Sequence, residues 1–315
     1  MQVTLGVVMD PIGSIHIYKD STYAMLLEAQ ARGWKIFYME QGDLFLRDGQ
    51  SYARMRILTL HKDSTHWFDF GADIIQPLSA LKVILMRKDP PFNMEYIYTT
   101  YFLELAELAG SLVVNNAASL RNFNEKMFVS WFPQCTPPTL VTRSAVQIRA
   151  FLSEYNDIIL KPLDGMGGRS IFRVRHDDAN IGVIIEMLTE LGLRFVMAQR
   201  FIPEITQGDK RILVINGEPV PYALARIPAP GETRGNLAAG GHGEGQPLTA
   251  RDQWICAEVG PILRQRGVLF AGLDVIGDYL TEINITSPTC IRELDKQYSL
   301  NISAQLLDVI AAKIA

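Results

Sequence analysis

Several common signatures are missing from the chain, and each absence removes a class of protein. There is no GxxxxGK[ST] phosphate loop, no GxSxG nucleophile elbow and no HExxH motif. The five histidines do not recur at metal-ligand spacing. The sequence therefore gives no support to the usual P-loop, serine-hydrolase and zinc-enzyme interpretations.

Cysteine and long apolar runs are also scarce. The three cysteines, Cys135, Cys256 and Cys290, are odd in number and widely spaced, which excludes a disulfide framework and a CxxC metal knuckle. No apolar run approaches the ~18 residues that a membrane span needs. The apolar segment Val3–Met9 has neither a basic leader nor a small-residue cleavage site, so we expect a core strand rather than a signal peptide. We predict a cytoplasmic protein with no membrane partner.

The charge of the chain points to small-molecule partners. The formal net charge is −4. A protein that binds nucleic acid through its phosphates needs a basic face, so we predict no nucleic-acid partner. The length of 315 residues is sufficient for two domains with a cleft between them.

The N-terminal third alternates short apolar runs with helical patterns. Strands are predicted at 3–9, 35–39, 83–86 and 112–115, and helices at 21–32 and 95–109. This alternation predicts a parallel sheet with helices on its faces, whose functional edge lies at the carboxyl ends of the strands. The more polar stretch Gln41–Pro77 reads as an irregular insertion with one short hairpin.

A different rhythm begins near residue 123 and indicates a second domain. A helix is predicted at Glu125–Phe132, followed by strand 139–141, helix 144–155 and strand 158–161. Two hairpins are predicted later, with turns at Asn216–Gly217 and Gly277–Asp278. Between them lies the glycine- and proline-rich segment Pro228–Pro247, which we expect to be a structureless functional lid or a linker.

The densest chemical signal is the segment Ile158–Arg173. A strand ends in Lys161 and is followed by Gly165, Gly167 and Gly168. Glycines let backbone N–H groups close around phosphate oxygens, and a neighbouring lysine adds positive charge to the same anion. The pattern predicts a phosphate-binding loop, with an ordinary glycine-rich turn beside a surface lysine as the alternative.

A second signal lies on the two strands of the last hairpin. Glu282 and Asn284 are two residues apart and share one face, and Asp274 on the partner strand can meet them. Three hard oxygen ligands beside a phosphate site suit Mg²⁺, or Mn²⁺ in its place. The alternative is a pair of solvent-facing acids on an exposed hairpin.

Taken together, these motifs resemble the ATP-grasp superfamily. The matching segments are NEKMF, ILKPLDGMGG, MAQRFIP, DKRILVINGEPV and the final D…E-x-N. Four further segments are similar to bacterial glutathione synthetases: LGVVMDPI, ILMRKDPPF, LARIPAPGETRGNLAAGG and TEINITSPTCIRE. The resemblance is collinear from about Leu5 to the C-terminus.

The resemblance implies an α/β fold that is α+β in its ATP-grasp part. An N-terminal substrate-binding domain with a parallel sheet would occupy residues 1–122. An ATP-grasp domain at 123–315 would follow, with two subdomains clasping ATP. Its small subdomain would span about 123–202 and its lid about 228–245.

The resemblance also implies roles for individual residues. Lys126, Lys161 and the loop Gly165, Gly167 and Gly168 would hold ATP phosphates. Arg211, Arg226 and the lid residue Arg234 would neutralise charge during catalysis, and Asp274, Glu282 and Asn284 would bind the metal. The adenine pocket and ribose contact would be formed by Gln199, Arg200, Phe201, Ile202 and Asp209.

The implied reaction joins γ-glutamylcysteine and glycine with ATP, through an acyl phosphate, to give glutathione, ADP and phosphate. Arg87 and Ser14 are candidates for the donor peptide and Arg292 for the glycine carboxylate. A homo-oligomer, a tetramer or dimer, is expected from the resemblance. The alternatives are another ATP-grasp ligase, such as a D-alanine–D-alanine ligase or a glutamate-adding enzyme, and a non-catalytic ATP-binding protein.

Overall fold

The computed structural model describes residues 2–165, 167–229, 235 and 240–315. Its N-terminal part is a seven-stranded sheet in the order β3-β4-β2-β1-β6-β7, with β5 paired to β4. The elements are β1 (Thr4–Val8), α1 (Ser21–Ala31), β2 (Lys35–Met39), β3 (Leu44–Arg47), β4 (Gln50–Leu60), β5 (Phe68–Pro77), β6 (Val83–Met86), α2 (Met94–Leu108), β7 (Leu112–Val114) and α3 (Ala117–Asn122).

The predicted parallel strands are confirmed, but the sheet is mixed. Strand β1 pairs in parallel with β2 and β6, and β6 pairs in parallel with β7. The prediction of an irregular insertion at Gln41–Pro77 is wrong, because β3, β4 and β5 occupy most of it and β4 pairs antiparallel with β2. Along β4, buried Ala53 and Met55 alternate with Arg54 and Arg56. The charged outer face hid this period-two pattern.

A four-stranded antiparallel sheet with the order β10-β9-β11-β8 follows. The helix predicted at Glu125–Phe132 is instead a short 3₁₀ helix, Met127–Trp131. Its start is fixed by Asn124, whose side chain accepts the N–H groups of Lys126 and Met127. The elements of this part are β8 (Thr139–Thr142), α4 (Ala145–Tyr155), β9 (Asp157–Pro162), β10 (Phe172–Arg175), α5 (Ile181–Thr189) and β11 (Val196–Arg200).

The remaining strands form an antiparallel sheet in the order β14-β13-β12-β15-β16. Both predicted hairpin turns are confirmed, and Asn216 and Gly217 both have positive φ, 50° and 83°, as a type I′ turn requires. The elements are β12 (Asp209–Ile215), β13 (Glu218–Ile227), β14 (His242–Pro247), α6 (Ala250–Gln265), β15 (Phe270–Ile276), β16 (Tyr279–Asn284), α7 (Ile291–Tyr298) and α8 (Ile302–Ile314).

Strand β14 corrects the expectation that Pro228–Pro247 is structureless throughout. Residues 230–234 and 236–239 lie outside the described part of the chain, whereas β14 pairs along β13. Its glycines serve close packing: a Cβ at Gly245 would come within 2.4 Å of the Tyr298 ring on α7. Because β14 needs glycine for this close packing, its sequence resembles that of a loop.

The first and third sheets share their core. One buried cluster contains Val8 and Met86 of the first sheet together with Ile212 and Leu273 of the third. Asn115, at the end of β7, accepts from the N–H groups of residues 269 and 270 and donates to the carbonyl oxygens of residues 270 and 285, at 2.7–2.9 Å. The carboxyl ends of the parallel strands are therefore held against β15 and β16.

Among the described residues, none of the helices has the length and apolar character that crossing a membrane requires.

Candidate active site

A cavity of about 520 Å³ opens where the three sheets meet. The predicted site residues that the structure describes line it, with the exception of Arg87 and Arg292. The lining residues among them are Ser14, Lys126, Lys161, Gly165, Gly167, Gly168, Gln199, Arg200, Phe201, Ile202, Asp209, Arg211, Arg226, Asp274, Glu282 and Asn284.

Two buried lysines project from different elements toward Glu282. The Nζ atoms of Lys126 and Lys161 lie 3.5 Å and 3.7 Å from Glu282 Oε1. Burial lowers the pKa of Lys161, and the charge of Glu282 offsets this only in part. Burial acts on Lys126 in the same direction, but the charges of Glu282 and Glu125 outweigh it and raise the pKa. Both lysines can therefore supply positive charge to an anion in the cavity.

The glycine loop meets one of these lysines. Lys126 Nζ donates to the carbonyl oxygen of Gly165 at 2.5 Å and to Glu125 Oε1 at the same distance. Gly167 and Gly168 have φ of 65° and 77°, the left-handed region that glycine adopts without strain. The loop after β9 therefore lines the cavity, and Gly167 and Gly168 give it a left-handed backbone conformation that glycine favours.

A charged cluster forms a second wall of the cavity. Arg211 on β12 binds both oxygens of Asp274 on β15, with Nε to Oδ1 at 2.5 Å and Nη2 to Oδ2 at 2.9 Å. Arg226 on β13 lies 2.9 Å from Asp274 Oδ2 and also donates to Asp209. Burial would raise the pKa of Asp274, but the two guanidinium groups hold it well below its usual range.

Asp209 in this cluster behaves differently. Burial raises its pKa to about 6, and the charge of Arg226 offsets this only in part. Its Oδ1 atom is buried and has no hydrogen-bond partner among the described residues. An oxygen of this kind on a cavity wall is free to bind a ligand group.

The three predicted metal ligands lie on adjoining strands. Asp274 pairs with Glu282, and Asn284 donates to Asp274 Oδ2 at 3.2 Å. Within the described part of the chain, the partners of the Glu282 carboxylate are two lysines at 3.5 and 3.7 Å, so its oxygens are available to a cation. The set of two carboxylates and one amide fits Mg²⁺, which takes oxygen ligands and completes its shell with phosphates and water. Asp274 is the most constrained of the three, because Arg211 already binds both of its oxygens.

The predicted adenine-binding residues lie at the end of β11 and just beyond it. Gln199 is buried and donates to Thr139 Oγ1 at 3.1 Å. Arg200 is turned aside and donates to the Tyr279 hydroxyl at 2.9 Å. The Arg173 guanidinium lies over the Phe201 ring, 3.5 Å from the ring centroid. With Arg200 held in this way, its bulk does not fill the cavity.

Two predicted residues are placed elsewhere. Arg87 is buried, donates to Thr22 Oγ1 and to the carbonyl oxygen of Pro288, and reaches the cavity only through that proline. Arg292 lines a second cavity of about 780 Å³ beside Tyr23. Arg234 lies outside the described residues.

The cavity also contains acidic residues that the sequence analysis missed. Asp10 follows β1 at the carboxyl edge of the parallel sheet, and this position was a signal that could have identified it. Asp20, Glu125 and Glu293 also line the cavity. Glu293 Oε2 is buried with no partner among the described residues, and burial raises the pKa of this carboxyl. No spacing in the sequence indicated Glu293.

Two family models match the chain. Residues 3–121 match the N-terminal domain of prokaryotic glutathione synthetase, and residues 125–299 match its ATP-grasp domain. The chain is 62% identical to the glutathione synthetase of Pseudomonas aeruginosa, covering 100% of this chain and 99% of the relative. It is 57% identical to the glutathione synthetase of Escherichia coli O157:H7, with 99% of each chain covered.

Solved structures with low sequence identity share the fold. The D-cycloserine synthetase DcsG superposes with a TM-score of 0.70 at 13% identity, covering 99% of this chain and 100% of that one. The ATP-grasp ligase PsnB, in complex with a precursor peptide and AMPPNP, gives a TM-score of 0.62 at 16% identity, covering 100% and 98%. These similarities identify the ATP-grasp fold.

Proposed function

The chain belongs to the prokaryotic glutathione synthetase family, and from that premise we propose that the cavity between its three sheets is the place of reaction. The protein is an ATP-dependent ligase that synthesises glutathione. The proposal rests on one observation: a single cavity is lined by two buried lysines, a glycine loop and the oxygen ligands of Asp274, Glu282 and Asn284. ATP phosphates, a metal ion and a substrate carboxylate can therefore bind next to one another in one cavity.

Lys126, Lys161 and the loop of Gly165, Gly167 and Gly168 bind the phosphates of ATP in this proposal. The two ammonium groups converge on Glu282 from opposite elements, which leaves them donors for a polyanion between them. Because both lysines are buried, their charges act through a medium of low dielectric and attract phosphate more strongly than surface lysines would.

The nucleoside lies against the end of β11. The backbone and side chains of Gln199, Arg200, Phe201 and Ile202 form an apolar and polar wall for adenine. Asp209 Oδ1, which has no hydrogen-bond partner among the described residues, accepts a ribose hydroxyl. This contact would satisfy a buried polar atom.

Asp274, Glu282 and Asn284 hold Mg²⁺, or Mn²⁺ in its place. The ion, when bound, neutralises phosphate charge and orients the triphosphate. Glu282 contributes the most accessible carboxylate, because its protein partners are no closer than 3.5 Å.

Arg211 and Arg226 act on the phosphoryl group that is transferred from ATP. A carboxylate oxygen of γ-glutamylcysteine attacks the γ-phosphorus, ADP leaves, and an acyl phosphate forms. The amine of glycine then attacks the acyl carbon and phosphate departs. Arg211 and Arg226 are fixed by Asp274, so their charges are already oriented toward the cavity when negative charge shifts during these steps.

Ser14 lines the cavity and is a donor-peptide contact in this proposal. Arg87 supports the loop at Pro288 and reaches the donor through that loop. Arg234 clamps the lid, as the family resemblance implies. Arg292 lines the second cavity, so the geometry does not support its predicted contact with the glycine carboxylate.

We assign the N-terminal substrate-binding domain to residues 1–122 and the ATP-grasp domain to 123–315, with a small subdomain at about 123–202 and a lid at about 228–245. We further propose a cytoplasmic homo-oligomer. Exposed Met94, Tyr98, Tyr101 and Leu108 along α2 support self-association. Light scattering during size-exclusion chromatography measures the assembly, and a monomer would refute it.

The experiment that tests the function measures ADP, phosphate and tripeptide with ATP, Mg²⁺, γ-glutamylcysteine and glycine. We expect ADP formation that requires both γ-glutamylcysteine and glycine. The amount of ADP should equal the amount of glutathione formed. ADP formation without glycine dependence would contradict the reaction. Loss of ATP binding in Lys161→Ala, with γ-glutamylcysteine binding retained, tests the placement of the nucleotide separately.

A further inference from the structure

The tip of the β4–β5 hairpin brings two histidines and an aspartate together. The Nε2 atoms of His61 and His66 lie 2.7 Å and 3.0 Å from Oδ2 and Oδ1 of Asp69. The two imidazole rings stack with centroids 5.4 Å apart. One ligand atom from each of the three residues lies within 4.8 Å of the other two. This cluster belongs to the N-terminal sheet and does not line the proposed active site.

Strand pairing explains why the three side chains meet. Thr59 pairs with Asp69, and His61 donates its N–H to the carbonyl oxygen of Trp67, so the ladder continues past the end of β4. His61 is two residues beyond Thr59 and shares its face, which makes His61 a diagonal neighbour of Asp69. His66 reaches the same carboxylate from three residues earlier in the chain.

The loop that carries the histidines is held in place from several sides. Asp63 Oδ1 accepts the N–H and the hydroxyl of Thr65 at 2.8 Å and 2.7 Å, which closes the turn between the histidines. Gln30 on α1 binds both backbone groups of Leu60, and the Tyr23 hydroxyl donates to the carbonyl oxygen of His61. The cluster is therefore preorganised rather than assembled by chance on a free loop.

We propose that His61, His66 and Asp69 form a binding site for a divalent transition-metal ion, of which Zn²⁺ is the best match. Two imidazole nitrogens and one carboxylate are ligands that Zn²⁺ accepts, with water in the fourth position. Imidazole also suits Ni²⁺ and Cu²⁺, whereas Mg²⁺ prefers oxygen ligands.

The geometry requires little movement. With bonds of about 2.0–2.1 Å in a tetrahedral site, ligand atoms stand roughly 3.3 Å apart. His61 and His66 contact different oxygens of Asp69, so the contact to the coordinating oxygen would open by about 0.3–0.6 Å from its 3.0 or 2.7 Å. The two histidine nitrogens, within 4.8 Å of each other, would approach by at most about 1.5 Å. Both side chains are partly exposed, so rotation about their χ angles supplies this movement.

The expectation that the histidines do not cluster is therefore wrong for this pair. His61 and His66 are separated by four residues across a hairpin turn, which is within the H-x₃₋₅-H range of zinc sites, but the chain lacks the CxxC pair that accompanies this spacing in zinc fingers. Only the register of β4 against β5 brings them to one carboxylate.

The test is a calorimetric titration of the full-length protein with ZnCl₂ in the presence of saturating Mg²⁺, which occupies the oxygen-rich set in the cavity. We expect one Zn²⁺ bound per chain, because Mg²⁺ keeps Zn²⁺ from the oxygen-rich set and leaves the histidine cluster available. In proton NMR, Zn²⁺ should shift the signals of two of the five histidines, assigned to His61 and His66 by single variants.

The variants His66→Ala and Asp69→Ala should each lose at least about tenfold in Zn²⁺ affinity, because each removes a direct ligand. His176→Ala is the matched control, since His176 is also exposed but lies outside the hairpin, and it should bind Zn²⁺ like the wild type. Circular dichroism checks that each variant is folded.

Two results would overturn the proposal. The first is a wild-type protein that binds no Zn²⁺ under these conditions, in which case the cluster is a hydrogen-bonded trio only. The second is undiminished Zn²⁺ affinity in folded His66→Ala and Asp69→Ala, which would assign the binding to other residues.

Discussion

Arg211 and Asp274 stand opposite each other on neighbouring antiparallel strands, and the guanidinium binds both carboxylate oxygens. Both side chains are at most 7% exposed. Arg226 shares the same carboxylate. Asp274 therefore compensates the buried charges of Arg211 and Arg226, in addition to any role as a metal ligand.

Asp274→Asn should therefore destabilise the fold as well as impair catalysis. Removing one partner of a buried ion pair leaves uncompensated charge and typically costs about 3–5 kcal/mol. Urea denaturation of the ligand-free protein measures this loss. Glu190→Gln, which breaks an exposed pair with Arg194, is the control and should change the unfolding free energy by less than about 1 kcal/mol. Equal stability of Asp274→Asn and wild type would contradict the structural role.

Glu282→Gln should separate catalysis from stability. The Glu282 side chain is 20% exposed and its lysine contacts are 3.5 Å and 3.7 Å long, so its loss should destabilise the fold less than the loss of Asp274, although it removes a compensating charge from two buried lysines. Loss of a charged metal ligand should weaken the apparent Mg²⁺ affinity by at least about 10–100-fold and reduce kcat strongly. Steady-state rates across a Mg²⁺ series measure both.

The control for Glu282→Gln is Glu218→Gln. Glu218 lies at the Asn216–Gly217 hairpin, and its side chain is 75% exposed. This variant should retain the wild-type Mg²⁺ dependence. A wild-type Mg²⁺ profile in Glu282→Gln would remove Glu282 from the metal site.

The sequence predicted those parts of the site that follow local rules. Asn216–Gly217 specifies its own turn, and the two-residue spacing of Glu282 and Asn284 places both on one strand face. Other parts depend on distant pairing. Glu293 reaches the cavity only because α7 packs near β13 and β14, and the charged face of β4 concealed a strand that only its partners define. Such features depend on tertiary contacts, and their local residue patterns are ambiguous.

Asp209 should make stability depend on pH in an unusual direction. Burial raises its pKa to about 6 from 3.8, so the folded state binds the proton more tightly than the unfolded state. Its contribution to stability is fully present below about pH 4 and is lost as the pH rises through about 6. Asp209→Asn removes this contribution.

Denaturation midpoints between about pH 4 and pH 7 should therefore differ in slope between the two proteins. The difference in stability between Asp209→Asn and wild type should shift in favour of the variant as the pH rises. Glu218→Gln, an exposed substitution, should follow the wild-type curve. Parallel curves for Asp209→Asn and wild type would show that the Asp209 carboxyl does not titrate in this range.

Glu293 should bind the ammonium group of the donor peptide. Its Oε2 atom is buried on the cavity wall without a hydrogen-bond partner among the described residues, and a buried carboxylate oxygen that lacks such a partner is costly. γ-Glutamylcysteine carries an ammonium group that stays charged throughout the reaction, whereas the glycine amine must be neutral to attack. Glu293→Gln should raise KM for γ-glutamylcysteine by about 10- to 100-fold, since a hydrogen bond between charged groups contributes about 1.5–3 kcal/mol. Because the contact is equal in ground and transition states, kcat and KM for glycine should change little. A rise in KM for glycine alone would instead assign Glu293 to the acceptor.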